Sequence, residues 1–170
     1  MDWYIVYKHK PASGTLQEAL NKRGIVHYIP LVITEKINEE GTAMVEVETY
    51  AIKNLVFLQT EQEITKLVGE IDGLRAPMMD CMTGLPAIVP DQEMQKFIAV
   101  LSQRNHEVKL LRDAYAKFSK HQKVRVKGGP FAGIEGRVVR ILRDRKLVIS
   151  LGNMAVAISG IDRSLFEPID

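Results

Sequence analysis

From Lys123 onward the chain is written in short β-branched runs: Val124-Arg125-Val126, Gly136 to Leu142, Leu147 to Leu151 and Ala155 to Ile158. Turns carrying glycine or asparagine separate them. Short strands packed this closely into residues 121–170 predict a small all-β barrel. Gly128 and Gly129 supply positive-φ freedom in the turn after the first strand. Pro130 stiffens that turn, and Phe131 is placed to fold back as a core plug. Gly136 stands where a Cβ would hinder strand curvature or close packing. Arg137 and Arg140 lie on the second strand, and Arg143 and Arg145 are read as a cluster in the turn Arg143-Asp144-Arg145-Lys146.

Residues 1–103 follow a different grammar. Trp3 to Tyr7 is an apolar, β-branched and aromatic run, read as a buried strand. Leu16, Ala19 and Leu20 recur at helical spacing, with Gly24 at the C-terminal stop. Ile25 to Ile29 reads as a strand ended by Pro30. Leu31 to Ile37 and Met44 to Tyr50 flank the turn signal Asn38-Glu39-Glu40-Gly41, which predicts a hairpin. Leu55 to Leu58 is a further buried strand, and Glu61 to Val68 a short helix. Pro86 to Pro90 encloses a short strand. Asp91 is read as the N-cap of a helix to about Ser102, with Met94, Phe97, Ile98 and Leu101 on its apolar stripe. Interleaved strands and helices predict an α+β or α/β sandwich. The expected organisation is therefore a unit over 1–103, a polar and basic linker over 104–120, and a barrel over 121–170. Val108, Leu110 and Leu111 interrupt the linker with apolar side chains that would allow the two units to pack together.

Charge divides along the same line. Residues 1–103 hold 9 Lys and Arg against 14 Asp and Glu, a net of −5. Residues 104–170 hold 14 against 7, a net of +7. Such asymmetry suggests separate partners for the two parts. Cys81 is the one cysteine, so neither an internal disulfide nor a cysteine-rich zinc site is expected. There is no glycine-rich phosphate loop ending in Lys-Ser or Lys-Thr, no Gly-x-Ser-x-Gly, and no second histidine at ligand spacing from His9. The expectation is a non-enzymatic protein without metal or cofactor. With no basic-then-apolar leader and no long apolar run, a cytoplasmic protein free of membrane contact is expected.

The stretch Val124-Arg125-Val126-Lys127-Gly128-Gly129-Pro130-Phe131-Ala132-Gly133-Ile134-Glu135-Gly136-Arg137-Val138 resembles the KOW motif. A chain that opens Trp3-Tyr4-Ile5-Val6 and ends in such a motif resembles the NusG family of transcription elongation factors. The arm Ile33 to Ile37 and Pro86-Ala87-Ile88-Val89-Pro90 leading into a helix are similar to its specialised paralogues of the RfaH and UpxY type. The resemblance implies an NGN-like α/β sandwich with an antiparallel sheet, followed by an SH3-like KOW barrel. In one respect the chain departs from the family. Where members carry Phe-Pro-Gly-Tyr or Phe-Pro-Asn-Tyr, this chain has Ile52-Lys53-Asn54-Leu55, so aliphatics replace both aromatics.

The resemblance further implies a patch gripping the clamp helices of RNA polymerase, made by Tyr7, Ile52, Leu55, Phe57, Met94 and Phe97. Of these, Tyr7 and Phe57 sit on buried-looking strands, and Met94 and Phe97 fit an ordinary helix core stripe; for Phe57 the core reading is the favoured one. A second polymerase contact across the cleft falls on Glu63, Thr65 and Lys66. Nucleic-acid contacts, to the non-template DNA strand or nascent RNA, fall on Lys8, His9 and Lys10, with Arg23 and Arg75 as further candidates. The KOW barrel is expected to recruit a ribosomal protein or termination factor, with Phe131, Ile134 and Val138 to Leu142 as its surface, or to bind RNA through its arginines. Bridging the polymerase cleft would favour the closed clamp and suppress pausing or termination at selected operons. A general elongation factor and a ribosome-associated or RNA-binding KOW protein are the alternatives. Nothing in the sequence demands more than a monomer. The β-branched strands and spaced glycines favour a barrel that stays a barrel.

Overall fold

The computed structural model describes residues 1–9, 13–103, 106–111 and 115–170. Its first half is built on an antiparallel sheet of β1 (Trp3–Lys8), β2 (Val26–Tyr28), β5 (Leu55–Gln59), β6 (Leu74–Pro77) and β7 (Ile88–Val89). The order is β2-β5-β1-β6, with β7 also paired to β1. Alternation along β1 sorts the side chains to two faces. Val6 lies opposite Val56, and this face receives Leu16 and Leu20 of α1 (Ser13–Lys22) and Ile64, Leu67 and Val68 of α2 (Ile64–Glu70). Ile5 opposite Phe57 and Tyr7 opposite Leu55 point the other way, toward Met94, Phe97, Val100 and Leu101 of α3 (Asp91–Leu101).

Both ends of the sequence-predicted α3 shift slightly, and the start has a physical reason. Pro90 is the N-cap and makes no side-chain cap bond. Asp91, expected to cap, is instead the first helical residue. Its carboxylate accepts the indole N–H of Trp3 at 2.8 Å, a tertiary bond that joins the helix start to the first strand. The hairpin of β3 (Leu31–Ile37) and β4 (Met44–Tyr50) forms a separate two-stranded sheet. Its turn is held by Asn38, whose side-chain oxygen accepts the N–H groups of Thr42 at 2.9 Å and Ala43 at 3.3 Å.

The second half is an all-β barrel in antiparallel order β13-β9-β10-β11-β12-β8. These strands are β8 (Val108–Leu111), β9 (Lys123–Val126), β10 (Glu135–Ile141), β11 (Asp144–Leu151), β12 (Met154–Ile158) and β13 (Phe166–Pro168). Two of them, β8 and β13, were not expected. Val108–Leu111, inside the stretch read as linker, pairs with β12, burying Val108 in the barrel. The turn placed at 143–146 is tighter than that: Ile141 pairs with Asp144, so only Leu142 and Arg143 turn, and Arg145 is a strand residue opposite Arg140. Leu142 takes the left-handed conformation (φ 59°) that a two-residue hairpin demands. Gly136 sits where a Cβ would meet the carbonyl oxygen of Val148 at 2.5 Å, so no side chain fits there without moving the sheet.

The barrel packs on the α3 face of the first half. One continuous apolar cluster joins Trp3, Ile5, Phe57, Met94 and Phe97 to Val124, Phe131, Leu147, Ile149 and Ile158. Polar bonds register the two halves. The carboxylate of Glu93 on α3 accepts the Gly152 N–H at 2.7 Å and the Ser150 hydroxyl at 3.0 Å. Gly152 (φ 65°) approaches so closely that a Cβ would lie 2.5 Å from the carbonyl oxygen of Ile88. Glycine is required there twice over, for its backbone angle and for its lack of a side chain.

Candidate functional site

Five of the six residues expected to form the polymerase grip are buried: Ile52, Leu55, Phe57, Met94 and Phe97. All six belong to, or pack against, the apolar cluster shared with the barrel. Ile52 and Leu55 precede and open β5, separated by exposed Lys53 and by Asn54 at φ 64°. The aliphatics that replace the family aromatics thus turn inward. Phe97 meets Phe57 with ring centroids 5.7 Å apart and Tyr28 edge-on at 6.4 Å. Burial pushes the Tyr28 phenol up to about 12. Tyr7 is half-buried and lines a cleft of about 190 Å3 with Met78, Met79 and Met82 on one side and Asn153 and Met154 of the barrel on the other. In this arrangement the barrel lies over the face that carries the six residues.

The second expected contact lies on the opposite layer, away from the barrel. Glu63 is the N-cap of α2, its carboxylate accepting the N–H groups of Thr65 at 3.0 Å and Lys66 at 2.8 Å. The Lys66 bond, then those to Thr65, hold its carboxyl below the usual carboxylate range. Thr65 and Lys66 are exposed, while Ile64 between Glu63 and Thr65 is buried.

The basic residues do not form one patch. Lys8 is buried, with its ammonium 4.6 Å from the centre of the Tyr50 ring and its backbone N–H bonded to Asn54. With its side chain buried beside the Tyr50 ring, Lys8 does not stand on the exposed surface that a phosphate contact needs. His9 is exposed and bonded through its N–H to Gly73, two residues before exposed Arg75. Lys10 lies outside the described residues. Arg23 is exposed and paired with Glu70 at 2.9 Å, an ion pair of little energetic weight.

On the barrel, Phe131 is buried, with the ring of His106 edge-on at 4.3 Å. It is therefore not on the outer surface expected to recruit a partner. Gly129 and Gly133 carry positive φ (77° and 86°), the former just before Pro130. Sequence reasoning overlooked Glu93 and Gly152. Glu93 follows Asp91 by two residues and carried no local signal, because its partners lie more than fifty residues away. Among the described residues no group of three His, Cys, Asp or Glu side chains is placed to hold a metal ion, and no helix is long and apolar enough to cross a membrane.

No curated protein matches the sequence significantly. Two family models do match. Residues 122–150 match the KOW motif, which accounts for β9, β10 and most of β11. Residues 1–98 match the family described as transcription termination factor nusG, the span that holds the whole first sheet and α1 to most of α3. With more than half its length in that match and the KOW barrel behind it, the chain belongs to the NusG family of transcription factors.

Proposed function

We propose that this protein is a specialised, non-enzymatic transcription elongation and antitermination factor. It grips the clamp helices of bacterial RNA polymerase through the face bearing Tyr7, Ile52, Leu55, Phe57, Met94 and Phe97. It reaches a second polymerase element through Glu63, Thr65 and Lys66, and so suppresses pausing or termination at selected operons. It works as a cytoplasmic monomer, and its KOW barrel recruits a further factor. The observation that carries this reading is the placement of the two residue sets on opposite layers of one sheet, as a bridge across a cleft requires. Because the barrel covers the first set, the grip needs the barrel to move away. An apolar face of this size gains affinity by burial once it is free.

The test is capture of RNA polymerase from the native host by the full chain, by fragment 1–103 and by that fragment with Tyr7→Asp. Tyr7 is the variant of choice because the other five residues are buried, and a charge at any of them would compromise folding. Stronger capture by the fragment than by the full chain, abolished by Tyr7→Asp, is the expected result. No capture by either wild-type form overturns the reading. A general elongation factor of the same family is the second reading; a global rather than operon-restricted change in transcripts on deletion would select it.

A further inference from the structure

The cleft beside Tyr7 gathers most of the sulfur in the molecule. Four of the seven methionines and the single cysteine line it: Met78, Met79, Cys81 and Met82 between β6 and β7, and Met154 at the start of β12. The cleft holds about 190 Å3, so these side chains border one small space. Core packing does not account for them, because Met82 is 87% exposed, Met79 is 51% exposed and Cys81 is exposed. Both walls are fixed. The Asp80 N–H donates to the Leu85 carbonyl at 2.8 Å, the Gly84 N–H to the Asp80 carbonyl at 2.8 Å, and the Asp80 carboxylate accepts the Met82 N–H at 2.8 Å. On the barrel side the Glu93 bond to Gly152 holds the turn that leads into Asn153 and Met154. Asn153 lines the cleft, and its Oδ1 is buried with no hydrogen-bond partner among the described residues. Asp80 lines it too, and no Lys, Arg or His does. The cleft therefore offers electron pairs and no positive charge.

We propose that this cleft binds one soft monovalent metal ion, copper(I), through the Cys81 thiolate and the thioethers of Met79, Met82 and Met154. Thiolate and thioether sulfur are soft donors and select copper(I) over harder ions. Zinc(II) takes thiolate, imidazole and carboxylate instead, and among the described residues no three such donors are grouped. Methionine is unbranched, with three rotatable bonds, so the exposed thioethers can swing onto an ion without moving the backbone. On binding, the Cys81 thiol gives its proton to water as the copper–sulfur bond forms. The copper enters and stays as copper(I), so no oxidant or reductant is consumed. An apolar partner docked on the exposed methionines would leave the thiol and the Asn153 oxygen unused, which is why a cation is the better fit. The proposal stands apart from polymerase binding, since none of the four ligands belongs to the six-residue face. With Met154 on the barrel and the other three on the first half, the ion bridges the two.

The experiment offers copper(I) to the reduced full-length protein without oxygen, as its coloured bicinchoninate complex, and reads transfer from the loss of colour. One copper per chain is expected, held less tightly as pH falls because the thiol must lose its proton. Cys81→Ser should weaken binding about a hundredfold or more, and Met154→Leu about tenfold or more. Leucine keeps the volume of the buried Met154 side chain and removes its sulfur. Met79→Leu with Met82→Leu, two exposed changes that spare the core, should also weaken binding about tenfold or more. Met44→Leu on the β3–β4 hairpin should leave it unchanged, and thermal melts confirm that each variant is folded. Silver(I), a redox-inert stand-in, should raise the melting temperature of the wild type and not that of Cys81→Ser. Absence of copper transfer to the wild type overturns the proposal. So does full affinity in folded Cys81→Ser or in the folded Met79→Leu, Met82→Leu variant. One copper per two chains overturns it in favour of a thiolate bridge between copies, and zinc(II) bound as tightly as copper(I) overturns the choice of a soft ion.

Discussion

Leu142 turns the tightest hairpin of the barrel with its side chain almost wholly in water and its backbone at φ 59°. A left-handed leucine costs about 1–2 kcal/mol, part of which glycine would recover against its greater unfolded-state entropy. Leu142→Gly is therefore expected to stabilise the protein by about 0.5–1 kcal/mol in denaturant titrations. Gly136 predicts the reverse. Alanine there drives its Cβ against the Val148 carbonyl, and a loss of about 2 kcal/mol or more is expected in the same titration. Trp3 reports on acid stability. Its indole bond, followed by the Gln95 side-chain amide, holds the Asp91 carboxyl below its ordinary value. A depressed carboxyl contributes stability that is complete above its unfolded value of 3.8 and is lost as pH falls through the lower folded value. The fluorescence of the single tryptophan should thus follow unfolding at a pH that Asp91→Asn makes less steeply acid-dependent. These residue-level facts differ in how much of them can be read from sequence. The Gly128-Gly129-Pro130 turn is local chemistry and is legible, although Gly129 and not Gly128 takes the positive φ. The role of Asp91 is not, because a cap and a tertiary acceptor look alike until Trp3 is known to lie beside it.

At the scale of elements, periodicity carries most of the fold. The continuous apolar runs in Trp3–Lys8 and Leu55–Gln59, and the helical stripe through Met94 and Phe97, are set by which side chains water rejects. β8 escaped such reading because four residues among basic neighbours have no pattern of their own; only the free edge of β12 makes them a strand. The β3–β4 hairpin is the opposite case, plain in sequence and buried in the core chiefly at its base, through Val32. Among the described residues it pairs with no other sheet, and Ile33, Ile37, Met44 and Val45 are exposed along it. A two-stranded ribbon without a covering layer is marginally stable. Its tip-proximal amides, around Lys36 and Val45, are expected to exchange hydrogen orders of magnitude faster than those of β1 and β5. Equal protection would mean that the hairpin is anchored to the rest of the fold.

For the whole molecule the decisive feature is the seating of the barrel on α3. A shared apolar cluster makes the two halves one cooperative body, so a single calorimetric transition is expected for the wild type. Glu93→Ala removes two hydrogen bonds to a charged group, each worth about 1.5–3 kcal/mol. It should lower the transition and, by freeing the barrel, broaden or split it, while proteolysis between the halves accelerates. An unchanged single transition would show that apolar contact alone holds the halves. The amino-acid sequence determined by itself the two kinds of folding unit, the charge contrast and the family, since each rests on short-range pattern and composition. Tertiary structure alone decided that the barrel conceals the Tyr7–Phe97 face, that Lys8 is buried under Tyr50, and that Arg140 and Arg145 meet at the barrel mouth. Such facts depend on which surfaces far apart in the chain find each other, and no local run of residues encodes that meeting.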